Sequence, residues 1–214
     1  MRTLSIETPT HGRVLVRERK GARVIVIGFH GYTENADIQM ARLEAIPGSE
    51  RWTLVSVQGL HRFYRGRTPE ISASWMTRQD RDDMIADNIE YADRVVAAVS
   101  KPGAAIVTVG FSQGVAMAFR AALRGRHRAD AVIAIGGDVP PELLADPTTV
   151  FPPMMLARGE ADDWYTASKL EGDVAALTAR GIHPRVSVYP GGHDWSERAG
   201  HLVGDFIVGT CGKD

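Results

Sequence analysis

The chain has 214 residues, 44% of them hydrophobic and 24% charged, a balance suited to a globular protein with a sizeable core. Its 25 lysines and arginines nearly cancel 26 aspartates and glutamates, so bulk charge gives no case for nucleic acid or an anionic membrane as partner. The lone Cys211 excludes an internal disulfide, no apolar run reaches the length of a membrane span, and no charged-then-apolar leader follows Met1, so the expected compartment is the cytoplasm.

Leu4-Ser5-Ile6 and Val14-Leu15-Val16 read as short strands of a leading hairpin turned through Thr10-His11-Gly12. Residues 24–29 form a continuous β-branched run, as expected of a strand buried on both faces. Residues 54–57, 106–109, 132–135, 154–157 and 186–188 repeat that style. Helical patterns separate them, at about 38–45, 82–100, 113–124, 166–180 and 196–207. In the second of these, Met84, Ile85, Ile89, Ala92, Val95, Val96 and Val99 recur at helical spacing and would face a sheet. About eight strands with interleaved helices imply one α/β domain over residues 1–214, with a mostly parallel sheet covered on both faces. The stretch around Pro140-Pro141 and Pro147 to Pro153 reads as one long loop.

Gly110-Phe111-Ser112-Gln113-Gly114 lies between the strand at 106–109 and the helix at 113–124. A G-x-S-x-G in that context is the nucleophile elbow of an α/β-hydrolase fold. The cramped turn lifts the serine oxygen above the sheet, at a helix N-terminus that favours developing negative charge. Such a serine needs an acid and then a histidine, in that chain order, on loops past later strand ends. His193 follows the strand at 186–188 in Gly191-Gly192-His193 and fits the base. For the acid, Glu160, Asp162 and Asp163 share the loop after residue 157, and position alone does not choose among them. An oxyanion hole needs the amide after the nucleophile, here Gln113, and one from the loop His30-Gly31-Tyr32-Thr33-Glu34-Asn35, where Tyr32 is the expected donor.

With these blocks the chain resembles the phospholipase/carboxylesterase family of α/β-hydrolases, which includes acyl-protein thioesterases and small bacterial carboxylesterases. Residues 30–37 are similar to that family's HGxGEN block, and Gly110 to Gly114 matches its GFSQG elbow. Gly159-Glu160-Ala161-Asp162 is similar to its acid loop and Gly192-His193 to its histidine loop, across about residues 23 to 208. The resemblance implies that Asp162 is the acid. It also implies serine-based hydrolysis of carboxylic esters or thioesters, with no cofactor and no metal. The expected substrate is a small ester of short to medium acyl chain, or a thioester or lysophospholipid. Nothing in the residues indicates an oligomeric state. Rival readings are a peptidase or amidase on this fold, and a non-catalytic ligand-binding relative.

Departures from the family pattern bear on specificity. Thr33 stands for the usual glycine of the first block, and Ser74-Trp75-Met76-Thr77 keeps only the tryptophan of a tryptophan–aromatic–aspartate segment. Residues 61–67, His61-Arg62-Phe63-Tyr64-Arg65-Gly66-Arg67, are unusually basic and aromatic and read as a solvated surface loop. Trp75, Trp164 and Trp195 are candidate walls of an open substrate pocket. No connection is long enough for a helical lid.

Overall fold

The computed structural model describes residues 1–212. Nine strands and six α-helices follow in order: β1 (Val14–Arg17), β2 (Val24–Phe29), α1 (Ala36–Glu44), β3 (Thr53–Val57), β4 (His61–Tyr64), β5 (Ile71–Ser74), α2 (Arg81–Val99), β6 (Ala105–Phe111), α3 (Gln113–Arg124), β7 (Ala131–Ile135), α4 (Pro141–Ala145), β8 (Met154–Gly159), α5 (Ala167–Thr178), β9 (Arg185–Tyr189) and α6 (Glu197–Cys211). The β-branched runs become the interior strands: every residue of β2, β3, β7 and β8 is buried.

Seven strands form one sheet in the order β1-β3-β2-β6-β7-β8-β9. All neighbours are parallel except β1, which runs antiparallel to β3 with Val14 opposite Val57. Side chains alternate across it. Ile25, Ile27 and Phe29 join the layer filled by α2, α3 and α5, through residues such as Val96, Phe119 and Leu177. Val24, Val26, Val107 and Val109 face the layer of α1 and α6, through Leu43, Val203 and Ile207. This is the mostly parallel sheet covered on both faces that the alternation of strand and helix patterns predicts, here an α/β-hydrolase architecture with seven strands where about eight were expected.

Strand order places the site. The chain steps outward from β2 to β3, then crosses back to lay β6 on the other side of β2. Loops leaving the carboxyl ends of β2 and β6 therefore diverge and open a crevice, the usual ligand position in such sheets.

Local expectations fare unevenly. Leu4-Ser5-Ile6 forms no strand, and β1 pairs with β3 instead of a leading hairpin partner. An edge strand needs a neighbour with open ladder groups, and β3 supplied one. Residues 61–67 are not simply a loop: His61–Tyr64 pairs antiparallel with Ile71–Ser74 in a separate two-stranded unit. The proline-rich loop contains the five-residue α4, started by Pro140 and Pro141, whose fixed φ suits a first helical turn. Helix α1 begins at Ala36, because the Asn35 side chain accepts the amide of Ile38 at 3.0 Å as an N-cap.

Helix α3 lies hard against the end of β2, and a Cβ on Gly114 would overlap the carbonyl oxygen of Phe29. Both partners are backbone, so neither can rotate away. Gly114→Ala should lower the unfolding free energy by about 3 kcal/mol in a denaturant titration. An unchanged midpoint would mean that the helix can back off freely.

Candidate active site

Ser112 follows β6 and caps α3 with φ 51° and ψ −120°, a strained backbone for a residue with a side chain. Its amide donates to the carbonyl of Ile135 at 2.9 Å, which anchors the turn to β7. The turn brings Ser112 Oγ to 2.8 Å from His193 Nε2, and His193 Nδ1 lies 2.9 Å from Asp162 Oδ2. With Nδ1–H donating to the carboxylate, Nε2 is left to accept the serine hydroxyl proton.

Of the three acids on the β8 loop, only Asp162 is buried; Glu160 and Asp163 point outward. Asp162 Oδ1 accepts the amides of Trp164 and Tyr165 at 2.9 and 2.8 Å, which aims Oδ2 at the imidazole. The loop itself is stapled by buried Arg158, whose guanidinium donates to the carbonyls of Tyr165, Glu160 and Asp162. The backbone ties this loop to the histidine loop, with Ala161 N donating to Gly191 O at 2.8 Å.

The β2 loop accounts for its amides one by one. Gly31 N–H donates to Glu34 Oε2 at 2.7 Å, Thr33 N–H to Ala73 O at 3.1 Å, and Glu34 N–H to Gly31 O at 3.3 Å. Tyr32 N–H has no acceptor among the described residues, and neither has Gln113 N–H at the start of α3. Orientation follows from the peptide plane: Gly31 O is held by His30 Nδ1–H at 2.6 Å and by Glu34 N–H, so the trans amide of Tyr32 must point the opposite way. His30 in turn accepts Gly59 N–H on Nε2 at 3.0 Å, which fixes its neutral tautomer.

The three tryptophans separate. Trp164 is 71% exposed, its ring 6.1 Å from that of His193, and it lines a cavity of about 700 Å³ beside Ser112. Trp75 is no pocket wall. It is fully buried, its indole N–H donates to His30 O at 2.8 Å, and its ring packs on the His30 ring at 5.0 Å. An indole needs an acceptor when buried, and the carbonyl of the β2 loop was the one available. Trp195 also stands off the cavity, against Phe111 at 6.4 Å and the Arg42 guanidinium at 5.9 Å. The other cavity walls come from Met76, Ala116, Val139 and Leu144, with Arg78 and Lys169 also lining it.

Three supports escaped reading from sequence. The Gln113 side chain accepts Trp75 N–H at 3.0 Å and donates to Met76 O at 2.9 Å, tying the elbow to the end of β5. Asn88, buried on α2, donates to Trp75 O at 2.8 Å. A signal existed for Asn88: it is the one polar residue within the apolar stripe running from Met84 to Ala92. The third, Arg42, donates to both carboxylate oxygens of Glu34 on the β2 loop and has no such signal, since a lone arginine near a helix end is usually solvated.

Burial is the main cause that lowers the His30 pKa from its ordinary value, opposed by its hydrogen bond to Gly31. The unfolded chain therefore binds the proton more readily. The stability carried by neutral His30 is complete above about pH 6.5 and drains away as the pH falls from there toward the lowered folded value. His30→Gln should flatten the loss of unfolding free energy between pH 7 and pH 5 relative to the native chain. Parallel curves would sink this assignment.

The dienelactone hydrolase family model matches residues 59–202. No curated protein matches the chain in sequence. Among solved structures, esterase PE8 shares 23% identity at a TM-score of 0.75, over 93% of this chain and 98% of its own. Acyl-protein thioesterase 2 of Zea mays superposes with a TM-score of 0.73 at 17% identity, over 94% of this chain and 100% of its own. A Bacillus cereus carboxylesterase gives 0.70 at 14% identity, over 93% and 94%. With the α/β-hydrolase fold of these structures, the chain belongs to the dienelactone hydrolase family.

Proposed function

We propose that this protein is a carboxylesterase that works through an acyl-enzyme on Ser112. The observation that carries the reading is the pair of contacts on His193, 2.8 Å to Ser112 Oγ and 2.9 Å to Asp162 Oδ2. Ser112 Oγ attacks the ester carbonyl carbon while His193 Nε2 takes the hydroxyl proton. Asp162 holds the ring by its Nδ1–H and stabilises the imidazolium. The amides of Tyr32 and Gln113 receive the oxyanion, each worth about 3 kcal/mol of barrier by comparison with measured donors. His193 then protonates the leaving alcohol as the tetrahedral adduct collapses. Water, deprotonated by the same ring, attacks the acyl-enzyme and releases the acid.

The cavity favours small soluble esters. Its apolar walls at Ala116, Val139 and Leu144 can take a short acyl or alcohol group, whereas Arg78 and Lys169 give it polar lining as well. A volume near 700 Å³ suits a small molecule. Each methylene inside gains about 0.8 kcal/mol, and one projecting into water gains nothing.

An organophosphonate should label Ser112 alone, and Ser112→Ala should lose labelling and turnover together. Asp162→Asn should lower kcat by about 10⁴-fold, as loss of the orienting acid does in a serine protease; Asp163→Asn and Glu160→Gln should change it little. Retained turnover in Ser112→Ala, or a crippling Asp163→Asn, contradicts the assignment.

Over a p-nitrophenyl ester series, kcat/KM should climb to about C8 and then level or fall. A steady rise to C16 would reveal a deep acyl tunnel instead. Thioesters, lysophospholipids and peptides in the same screen separate this reading from its rivals.

A further inference from the structure

Among the charged pairs that the proposed chemistry does not use, one touches three loops of the site. Arg42 on α1 grips Glu34 with both ends of its guanidinium, Nη1 to Oε2 at 2.6 Å and Nη2 to Oε1 at 2.7 Å. The two side chains are 18% and 19% exposed, so the pair is largely withdrawn from water. Its Glu34 Oε2 is the same oxygen that accepts Gly31 N–H. The guanidinium also lies over the Phe111 ring, 4.4 Å from its centroid, and reaches the Trp195 ring at 5.9 Å. Phe111 immediately precedes Ser112, and its ring stacks at 5.2 Å on that of His193. One cation thus touches side chains from three separate loops: the β2 loop through Glu34, the elbow through Phe111, and the histidine loop through Trp195.

From this convergence we infer that Glu34 and Arg42 are a positioning pair, which sets the aim of the Tyr32 amide relative to Ser112 and His193; the inference rests on the esterase reading above. Glu34 binds the amide of Gly31 and, through its own N–H, the carbonyl of Gly31, so it clamps both peptide planes that lead into Tyr32. A carboxylate alone on that loop could rotate away. The bidentate fork of Arg42 fixes its plane, and stacking on Phe111 fixes the fork. Neither side chain reaches the reacting atoms. Their effect falls on the oxyanion, which is absent from the bound ester and develops only on the way to the tetrahedral adduct, and so on kcat instead of KM.

The test measures kcat and KM on a short p-nitrophenyl ester, with the affinity of a trifluoromethyl ketone that forms a tetrahedral oxyanion on the serine. Glu34→Ala and Arg42→Met should each lower kcat by between about tenfold and a hundredfold, with KM held within about twofold. Ketone affinity should fall by the same factor as kcat/KM. Arg42→Lys restores the charge without the fork and should recover part of the loss; Glu34→Gln keeps an oxygen for Gly31 N–H and should sit between the native chain and Glu34→Ala. These two conservative variants give the same readout if the larger truncations do not fold. The inference is overturned if kcat and ketone affinity stay at native levels in folded variants, or if activity is lost only in proportion to the folded fraction. A native chain that hydrolyses no ester and takes no phosphonate label would overturn the esterase reading instead, which keeps the two failures apart.

Discussion

The whole site depends on how closely α3 approaches the end of β2. Gly114 lies against the carbonyls of Phe29 and His30, and Gly110 lies under the backbone of Gly114 and Val115, so two side chains are missing where two backbones meet. That contact forces Ser112 to turn at φ 51° and leaves its side chain above the sheet. It also brings the first amide of α3 beside the loop that carries Tyr32. Any retreat of the helix would separate Ser112 from the loop that carries Tyr32, and no side-chain adjustment could bridge the gap.

A buried polar chain holds this arrangement from behind. Asn88 binds Trp75, the Trp75 indole binds His30 O, and His30 binds both Gly31 O and Gly59 N–H. Gln113 closes the chain onto Trp75 and Met76. Each bond adds only about 1 kcal/mol net, yet a broken one strands a buried donor or acceptor at about 1–3 kcal/mol. The network therefore specifies one loop conformation more than it adds stability. The same logic governs the acid side, where buried Arg158 binds three carbonyls so that one loop can present Asp162 inward.

The sequence made the strand–helix alternation readable because interior strands are apolar on both faces, and helices here carry a single stripe. Ser112, His193 and the loop of candidate acids stood out as well, since each sits in a short run just past a strand end. Pairing was less so. Leu4-Ser5-Ile6 and Val14-Leu15-Val16 look alike locally, and only the open edge of β3 decides which becomes a strand. The tryptophans divided for a related reason: Trp164 lines the cavity and Trp75 does not, although the side chain is the same, and what separates them is an acceptor, His30 O, that comes from 45 residues away. Among the acids, the residues alone left Glu160, Asp162 and Asp163 open. Burial distinguishes them in three dimensions, because only Asp162 faces two backbone amides.

Two departures from the resembled family pattern turn out to be linked through β5. Thr33 takes φ 64° where a glycine would rest easily, and a β-branched residue in that region is strained by about 1–3 kcal/mol. Its N–H donates to Ala73 O at 3.1 Å, and Ala73 N–H returns a bond to Glu34 O at 2.8 Å, so β5 grips the strained turn from both sides. Strand β5 is itself held by β4, through the register that sets Arg62 opposite Ala73 and Phe63 opposite Ser72. The Phe63 ring then rests 6.2 Å from that of Tyr32. The basic, aromatic stretch at 61–67 thus has an inner edge and an outer one. Its outer side chains, Tyr64 and the arginines, meet solvent, and its backbone completes a hairpin that clamps the β2 loop. Strain at Thr33 and the added hairpin are two halves of one device: the turn is costly where it stands, and the neighbouring strand keeps it there.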